Sequence, residues 1–399
     1  MRTIGIIAEY NPFHSGHRHH AEVCRQTFGP DCAIVCAMSG NWVQRGDAAI
    51  TDKWTRAAQA LAGGADLILE LPTLWAVSSA ETFAQGGTEV LSASGVVDVL
   101  SFGSEAGSVR PLAQAAACLD TPAWKAALRV FLDQGLSFPA ARQKAAERLL
   151  GDEAACLKFP NNNLGVEYLR AMARLSHPME PHTIPRLGAA HDAHSVLTEK
   201  YASASYLRQQ ILDRSPEPLA PYLTTENEAR LRRDPAQLSF CTRGVLARLR
   251  SLSPEALEAL PDSGEGLSHR LAQAAQTACT LDDLYTQVKS KRYTHARIRR
   301  MVLWAFLGLS EADRPDHVPY LRVLGFSPKG QTLLRRMKTS ARCPVIIKPA
   351  SAAKLPDEAR RVFDLEARCT ALYDLCRKEF GVLPGKNEYT QSPVRLSFR

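Results

Sequence analysis

The chain has 399 residues, 45% of them hydrophobic and 23% charged, with a formal net charge of +8. That is globular composition at a length for two or three domains; no apolar run can span a bilayer and no secretory leader opens the chain, so a cytoplasmic protein is expected. Its ten cysteines are scattered without a CxxC pair, which argues against a disulfide scaffold and predicts free, buried thiols.

Residues 3–8, 32–38, 66–71 and 96–102 are short apolar runs, and helical patterns over 17–27, 52–62 and 78–92 separate them. Thr51 or Asp52 can cap the second helix, and Gly63-Gly64 ends it. Continuous apolar strands alternating with helices predict an α/β fold, a Rossmann-like parallel sheet covered on both faces. Ligands of such sheets bind beyond the carboxyl ends of the strands, which singles out the loops over 9–17, 39–51, 71–78 and 103–108. Residues 109–175 read as helical, 181–184 as a strand, and 201–208 as a helix start. Beyond residue 216 the pattern is helical apart from an extended run at 344–347. The expected division is therefore a catalytic domain over 1–215 and a mostly α-helical, basic domain over 216–399.

His14-Ser15-Gly16-His17 has the form HxGH and sits between the first strand and the first helix. Glycine admits a ligand to the backbone, and a helix start offers N–H groups to phosphate. Two imidazoles one turn apart can stabilise charge on a leaving pyrophosphate. A zinc site would need a further set of Cys, His or carboxylate ligands, and none is evident nearby, so no metal site is expected from the protein alone. Ser203, Ser205 and Arg208 place hydroxyls at a helix start with a guanidinium one turn in, which suits the β- and γ-phosphates of ATP. An ordinary capped helix explains the same residues, and the pairing with HxGH favours phosphate. The polar loop 39–47 follows the second strand, where a second substrate should sit, while Lys53 and Arg56 read as a solvated helix face. Asp47 and Asp52 are the candidate bases near it. Gly103 would let an adenine or ribose lie against the backbone, or is a plain turn glycine.

The stretches GIIAEYNPFHSGH, MSGNWVQRGDAAITDKWTRA, ADLILELP, AETFAQGG, SFGSE and PNNNLGVEYLRA, in this order, resemble the bacterial tRNA(Met) cytidine acetate ligase family of the HxGH nucleotidyltransferase-like superfamily. VKSKRYTHARIRRM and LRVLGFSPKGQTLLRRMK extend the resemblance over most of the chain. The resemblance implies an ATP-dependent ligase that makes acetyl-adenylate from acetate and ATP, releasing pyrophosphate. It then moves the acetyl group to the wobble cytidine of elongator tRNA(Met), giving N4-acetylcytidine and AMP. It further implies an ATP site formed by Ile7, Ala8, Glu9, Tyr10, Asn11, Pro12, Phe13, His14, Ser15, Gly16, His17, Arg18, His19 and His20. Gly103, the Arg186-Leu187 pair and one of Asn161/Asn162, taken as Asn162, complete it. His14, His17 and Arg208 are the catalytic candidates, with Mg²⁺ expected alongside the triphosphate. Asn163 stands where the family pattern carries an apolar residue.

The run 289–300 carries six cations, Lys289, Lys291, Arg292, Arg297, Arg299 and Arg300, and Arg335, Arg336, Lys338, Arg342 and Lys348 form a second cluster. A solvated helix face is the usual meaning of such runs. In a chain expected to modify RNA, contact with tRNA phosphates is the better reading, with Tyr293 free to stack on a base or pack in the core. Two other functions fit parts of the chain. An adenylyltransferase acting on a small phosphorylated metabolite would explain HxGH but leave the basic half idle. A non-catalytic tRNA-binding protein with structural ATP would leave both phosphate elements without a task. No obligatory protein partner is evident.

Overall fold

The computed structural model describes residues 1–186, 201–215, 217–379 and 388–396. β1 (Thr3–Ala8), β2 (Ala33–Ser39) and β5 (Leu67–Leu71) are mostly apolar because both of their faces are buried in a central sheet, with Glu70 of β5 the one charged residue among them. A two-residue pair, β3 (Trp42–Val43) and β4 (Asp47–Ala48), forms a hairpin above the carboxyl end of β2. β6 (Val99–Ser104) and β7 (Glu180–Pro185) extend the sheet on the other side of β1. The order β5-β2-β1-β6-β7 is parallel throughout, and the direction of winding reverses between β1 and β6. That switch point opens a crevice at the carboxyl edge.

Helices cap themselves locally. α1 (Ser15–Phe28) starts at His14, and α2 (Lys53–Ala62) starts at Asp52, whose carboxylate accepts the Thr55 N–H at 2.9 Å. α3 (Ala80–Ala93) returns from β5 to β6 with Ser79 as its cap.

The chain beyond residue 216 is not wholly helical. β8 (Leu321–Phe326) is fully buried and lies antiparallel to β5. β9 (Val345–Ile346) and β10 (Val394–Arg395) pair with it, so one sheet draws on both sides of residue 216. Arg322 interrupts the apolar run of β8 and disguises it in the sequence. Its guanidinium is buried against Glu388, Nε to Oε1 at 3.1 Å. Glu388 also pairs with Lys53, whose Nζ is 2.5 Å from Glu70. Lys53 and Arg56, expected on a solvated face, are thus fully buried. Arg56 gathers the carbonyls of Glu9 (2.6 Å), Ser39 (3.1 Å), Gly40 and Thr51 (3.1 Å), tying the loops after β1 and β2 together. All ten cysteines are free; six are buried, and Cys279 is exposed. No helix among the described residues is long and apolar enough to cross a membrane.

Candidate active site

A cavity of about 860 Å³ fills the switch point. Its walls come from the end of β1, the start of α1, the β3–β4 hairpin, Phe102 and Gly103 of β6, and the start of α4 (Ala204–Leu212).

His14 and His17 face each other, with ring centroids 3.8 Å apart. The Gly16 N–H donates to His14 Nδ1 at 3.1 Å, and the His14 N–H donates to His17 Nδ1 at 3.2 Å. Both Nδ1 atoms accept, so in the neutral rings the proton sits on Nε2. Burial lowers both pKa values. His14 falls to about 3, with Arg186 and Arg208 adding to the effect, and His17 falls well below its usual range, helped by His14 and Arg186. The pair therefore stays neutral and presents two Nε2–H donors. The free helix N–H groups expected at this point are already engaged. Ser15 donates to the Tyr222 carbonyl at 2.9 Å and His17 to the His14 carbonyl at 2.9 Å. At this point the cavity wall presents imidazoles rather than bare backbone N–H groups.

Within 7–20, Ile7, Ala8, Glu9, Tyr10, Asn11, His14, Gly16, His17, His19 and His20 line the cavity. Pro12, Phe13, Ser15 and Arg18 do not: Phe13 is buried in the core against Gly63, and Arg18 points to solvent. His20 bonds to Ser101 Oγ at 2.9 Å, which in turn meets His182 Nδ1 at 3.1 Å. Burial lowers His20 to about 4, with His182 and His19 contributing.

Of the two asparagines, Asn161 reaches the cavity wall and accepts from Arg186 Nη1 at 2.7 Å. Asn162 turns away: its amide donates to the Cys156 carbonyl at 3.0 Å and its oxygen accepts the Ala106 N–H at 3.0 Å. Glu105 anchors both residues, accepting from Asn161 Nδ2 at 2.5 Å and from the Asn162 N–H at 2.8 Å. Asn163 is paired with Arg142 at 2.5 Å. Gly103 lines the cavity opposite the Arg186 stem. Leu187 lies outside the described residues.

At the other end, Ser203 caps α4 by accepting the Tyr206 N–H at 3.1 Å, and both it and Ser205 line the cavity. Arg208 donates to the Asn11 carbonyl at 2.7 Å and to Ser205 at 3.0 Å, joining α4 to the HxGH loop. The loop 39–47 has a divided role. Val43, Gln44, Arg45 and Asp47 face the cavity, whereas Asn41 and Trp42 are core residues, with Trp42 Nε1 donating to the Cys369 carbonyl at 3.1 Å. Burial raises the Asp47 carboxyl, opposed by the Leu238 and Ala48 N–H groups and by Arg299 and Arg208. Asp52 is the cap of α2 and is not a cavity residue.

The run 289–300 separates into three parts. Lys291 and Arg292 are exposed. Lys289, Arg297 and Arg300 are held by the chain: Lys289 on the Tyr293 carbonyl (2.7 Å), Arg297 on Glu265 (2.6 Å), Arg300 on Asp262 (2.8 Å). Arg299 enters the cavity, a placement that its position inside a basic run conceals. Tyr293 is a buried residue with Arg297 over its ring. The second cluster is exposed, and its helix, Pro328–Ser340, crosses the opposite edge of the sheet, with Gly330 against Asp66 and Ser340 against Ser94.

A cavity at the switch point of a doubly wound sheet, walled by paired neutral histidines and several guanidinium groups, defines a nucleotidyl transferase. The chain matches the HIGH Nucleotidyl Transferase family over residues 1–385. A tRNA(Met) cytidine acetate ligase of Acetivibrio thermocellus is 34% identical over 99% of this chain and 100% of its own length. One of Caldanaerobacter subterraneus subsp. tengcongensis is 37% identical over 96% and 97%. The crystal structure of apo Thermotoga maritima TmcAL superposes with a TM-score of 0.94 at 30% identity, covering 99% of this chain and 100% of that one. The same protein bound with alpha-thio ATP gives 0.91 at 28%, with the same coverage. The chain belongs to the HIGH nucleotidyl transferases and, within them, to the tRNA(Met) cytidine acetate ligase family.

Proposed function

We propose that the protein uses ATP to activate acetate and acetylates the wobble cytidine of elongator tRNA(Met). The observation that carries this reading is the His14–His17 pair at the switch-point cavity of a chain in this family. An acetate oxygen attacks the α-phosphorus of ATP, the bond to the bridging oxygen breaks, and pyrophosphate leaves. The N4 amine of cytidine then attacks the acetyl carbonyl of acetyl-adenylate, AMP departs with the anhydride oxygen, and the nitrogen loses one proton. The first step needs alignment and charge neutralisation rather than a covalent enzyme intermediate. The Nε2–H groups of His14 and His17 and the guanidinium groups of Arg208 and Arg186 supply donors of that kind without changing protonation state. Asn161 takes the nucleotide contact expected of Asn162, because its side chain faces the cavity. The second step needs a place for an unpaired nucleobase, which a single-stranded anticodon loop yields at low cost. Within the run 289–300, Lys291 and Arg292 are the exposed cations suited to the RNA backbone.

Among the described residues no three His, Cys, Asp or Glu side chains form a metal cluster. Glu9, Asp47 and Asp213 are the carboxylates on the cavity wall, a donor set that fits Mg²⁺ carried mainly on the triphosphate. Such an ion would add neutralising charge at the phosphates. The reaction fits a cytoplasmic enzyme.

The test is purified protein with labelled acetate, ATP and total tRNA, followed by nucleoside analysis. N4-acetylcytidine is expected only when ATP is present. Folded protein that makes none from tRNA(Met) overturns the proposal. Adenylylation of a small phosphorylated metabolite in its place would identify an adenylyltransferase.

A further inference from the structure

Arg299 sits on α5 (His295–Leu307), far along the chain from the HxGH loop, yet its side chain lines the same cavity as His14, His17 and Arg208. Three features fix it there. Gly46, at the tip of the β3–β4 hairpin, has φ +75° and is packed so tightly that an added Cβ would meet the Arg299 carbonyl carbon and the Arg300 nitrogen at 2.4 Å. The guanidinium carbon lies 5.3 Å from the centroid of the Tyr285 ring. Arg300, the next residue, is clamped to Asp262 by two hydrogen bonds of 3.0 and 2.8 Å. The side chain is therefore positioned before any ligand arrives.

Its hydrogen bonding is incomplete. The Nε of Arg299 is buried and has no hydrogen-bond partner among the described residues. A buried charged donor left in that state is costly, and an anion in the cavity facing the rest of the guanidinium would offset that cost. Asp47 offers charge nearby, but its Oδ1 already accepts the Leu238 and Ala48 N–H groups at 2.8 and 2.7 Å. Arg208 is in turn committed to the Asn11 carbonyl and to Ser205, so much of its donor capacity holds the loop. Arg186 likewise gives Nη1 to Asn161, so a tetravalent anion in the cavity would draw on a further guanidinium, and Arg299 is close enough to Arg208 for its charge to act on it.

We infer that Arg299 holds the β- and γ-phosphates of ATP, making it a phosphate-binding residue of the adenylation step rather than part of an RNA-docking face. This rests on the reading of the cavity as an ATP site. It also assigns the chain beyond residue 216 a direct part in that site, because Lys291 and Arg292 stand just before the start of α5 and Arg299 lies one turn into it.

Equilibrium binding of ATP and of AMP to the wild type and to Arg299→Ala tests the inference, since AMP lacks the two phosphates in question. Arg299→Ala is expected to weaken ATP about tenfold or more while changing AMP less than twofold. Arg299→Lys, which keeps the charge but not the fork, should recover part of the loss. Parallel loss of ATP and AMP would mean that Arg299 only supports the wall, and would overturn the inference. So would unchanged ATP affinity with weakened binding of tRNA(Met), or a lysine variant no better than alanine. Should the alanine variant fail to fold, the lysine variant carries the same ATP-against-AMP comparison. Wild-type protein that discriminates ATP from AMP but makes no acetylcytidine would refute the proposed reaction and leave this assignment standing.

Discussion

Replacing Glu366 by glutamine should stabilise the protein at neutral pH, although the residue lies deep in the core. Glu366 belongs to α6 (Asp357–Asp374) and is almost completely buried. It accepts the Thr73 N–H and meets Thr73 Oγ1 at 3.0 Å. Around it Lys53 and Arg322 already balance Glu70 and Glu388. A fifth charge would be in excess, and burial, reinforced by Glu70, pushes the Glu366 carboxyl from its ordinary 4.5 up to about 8. Below pH 4.5 the group is protonated in both folded and unfolded chains and has no effect. Above that, the unfolded chain releases the proton while the folded protein retains it, so folding takes up a proton and stability falls as pH rises towards 8. At about 1.4 kcal/mol per pH unit, the loss reaches about 3 kcal/mol at pH 7. Glutamine keeps the shape, accepts from Thr73 N and donates to Oγ1, and removes the titration. Urea unfolding at pH 5 and pH 7 should show a gain for Glu366→Gln of under about 1 kcal/mol at the lower pH and about 3 kcal/mol at the higher. Equal destabilisation at both would mean that Glu366 is ionised in the folded protein and serves Lys53 as a counter-charge.

Lys53→Met should have the opposite consequence, since it leaves Glu70 and Glu388 buried without their shared cation. A loss of about 3–5 kcal/mol is expected in the same unfolding assay, and a loss under about 1 kcal/mol would contradict the described packing. The two asparagines should separate by assay: Asn161→Ala raises the KM for ATP in acetate-dependent pyrophosphate exchange with little effect on stability. Asn162→Ala lowers stability by about 1–2 kcal/mol by leaving the Ala106 N–H unpaired, and the reverse pattern would reverse their roles. Removing Lys291 and Arg292 together should weaken tRNA binding and lower its salt dependence, by about one unit of log–log slope for each phosphate no longer neutralised. An unchanged slope in filter binding would take the RNA backbone away from these residues.

The alternation of apolar runs and helices was readable because strands buried on both faces are apolar almost throughout, and β1, β2 and β5 are, with Glu70 the one charge among them. β8 escaped the same reading because Arg322 is its second residue and shortens the apolar run, a charge tolerated only because Glu388, 66 residues later, meets it inside the core. Lys53 and Arg56 misled for a related reason. A cation on a helix is ordinarily solvated, and nothing local announces that buried carboxylates or four loop carbonyls await it. Within the cavity, spacing marked His14 and His17, whereas their neutrality, the engaged helix N–H groups, and the choice between Asn161 and Asn162 depend on partners distant in the chain.

By itself the sequence determined the parallel sheet, the position of HxGH after its first strand, and helix starts at Thr51 or Asp52 and within 201–208, all of which follow from short-range periodicity, capping and backbone geometry. Tertiary structure decided which charges are buried, which of six cations in one basic run reaches solvent, and that Arg299 joins the cavity. Those outcomes depend on side chains meeting across hundreds of residues. The energy of a charge is set by the partner it finds and the water it loses, and neither is encoded in its immediate neighbours.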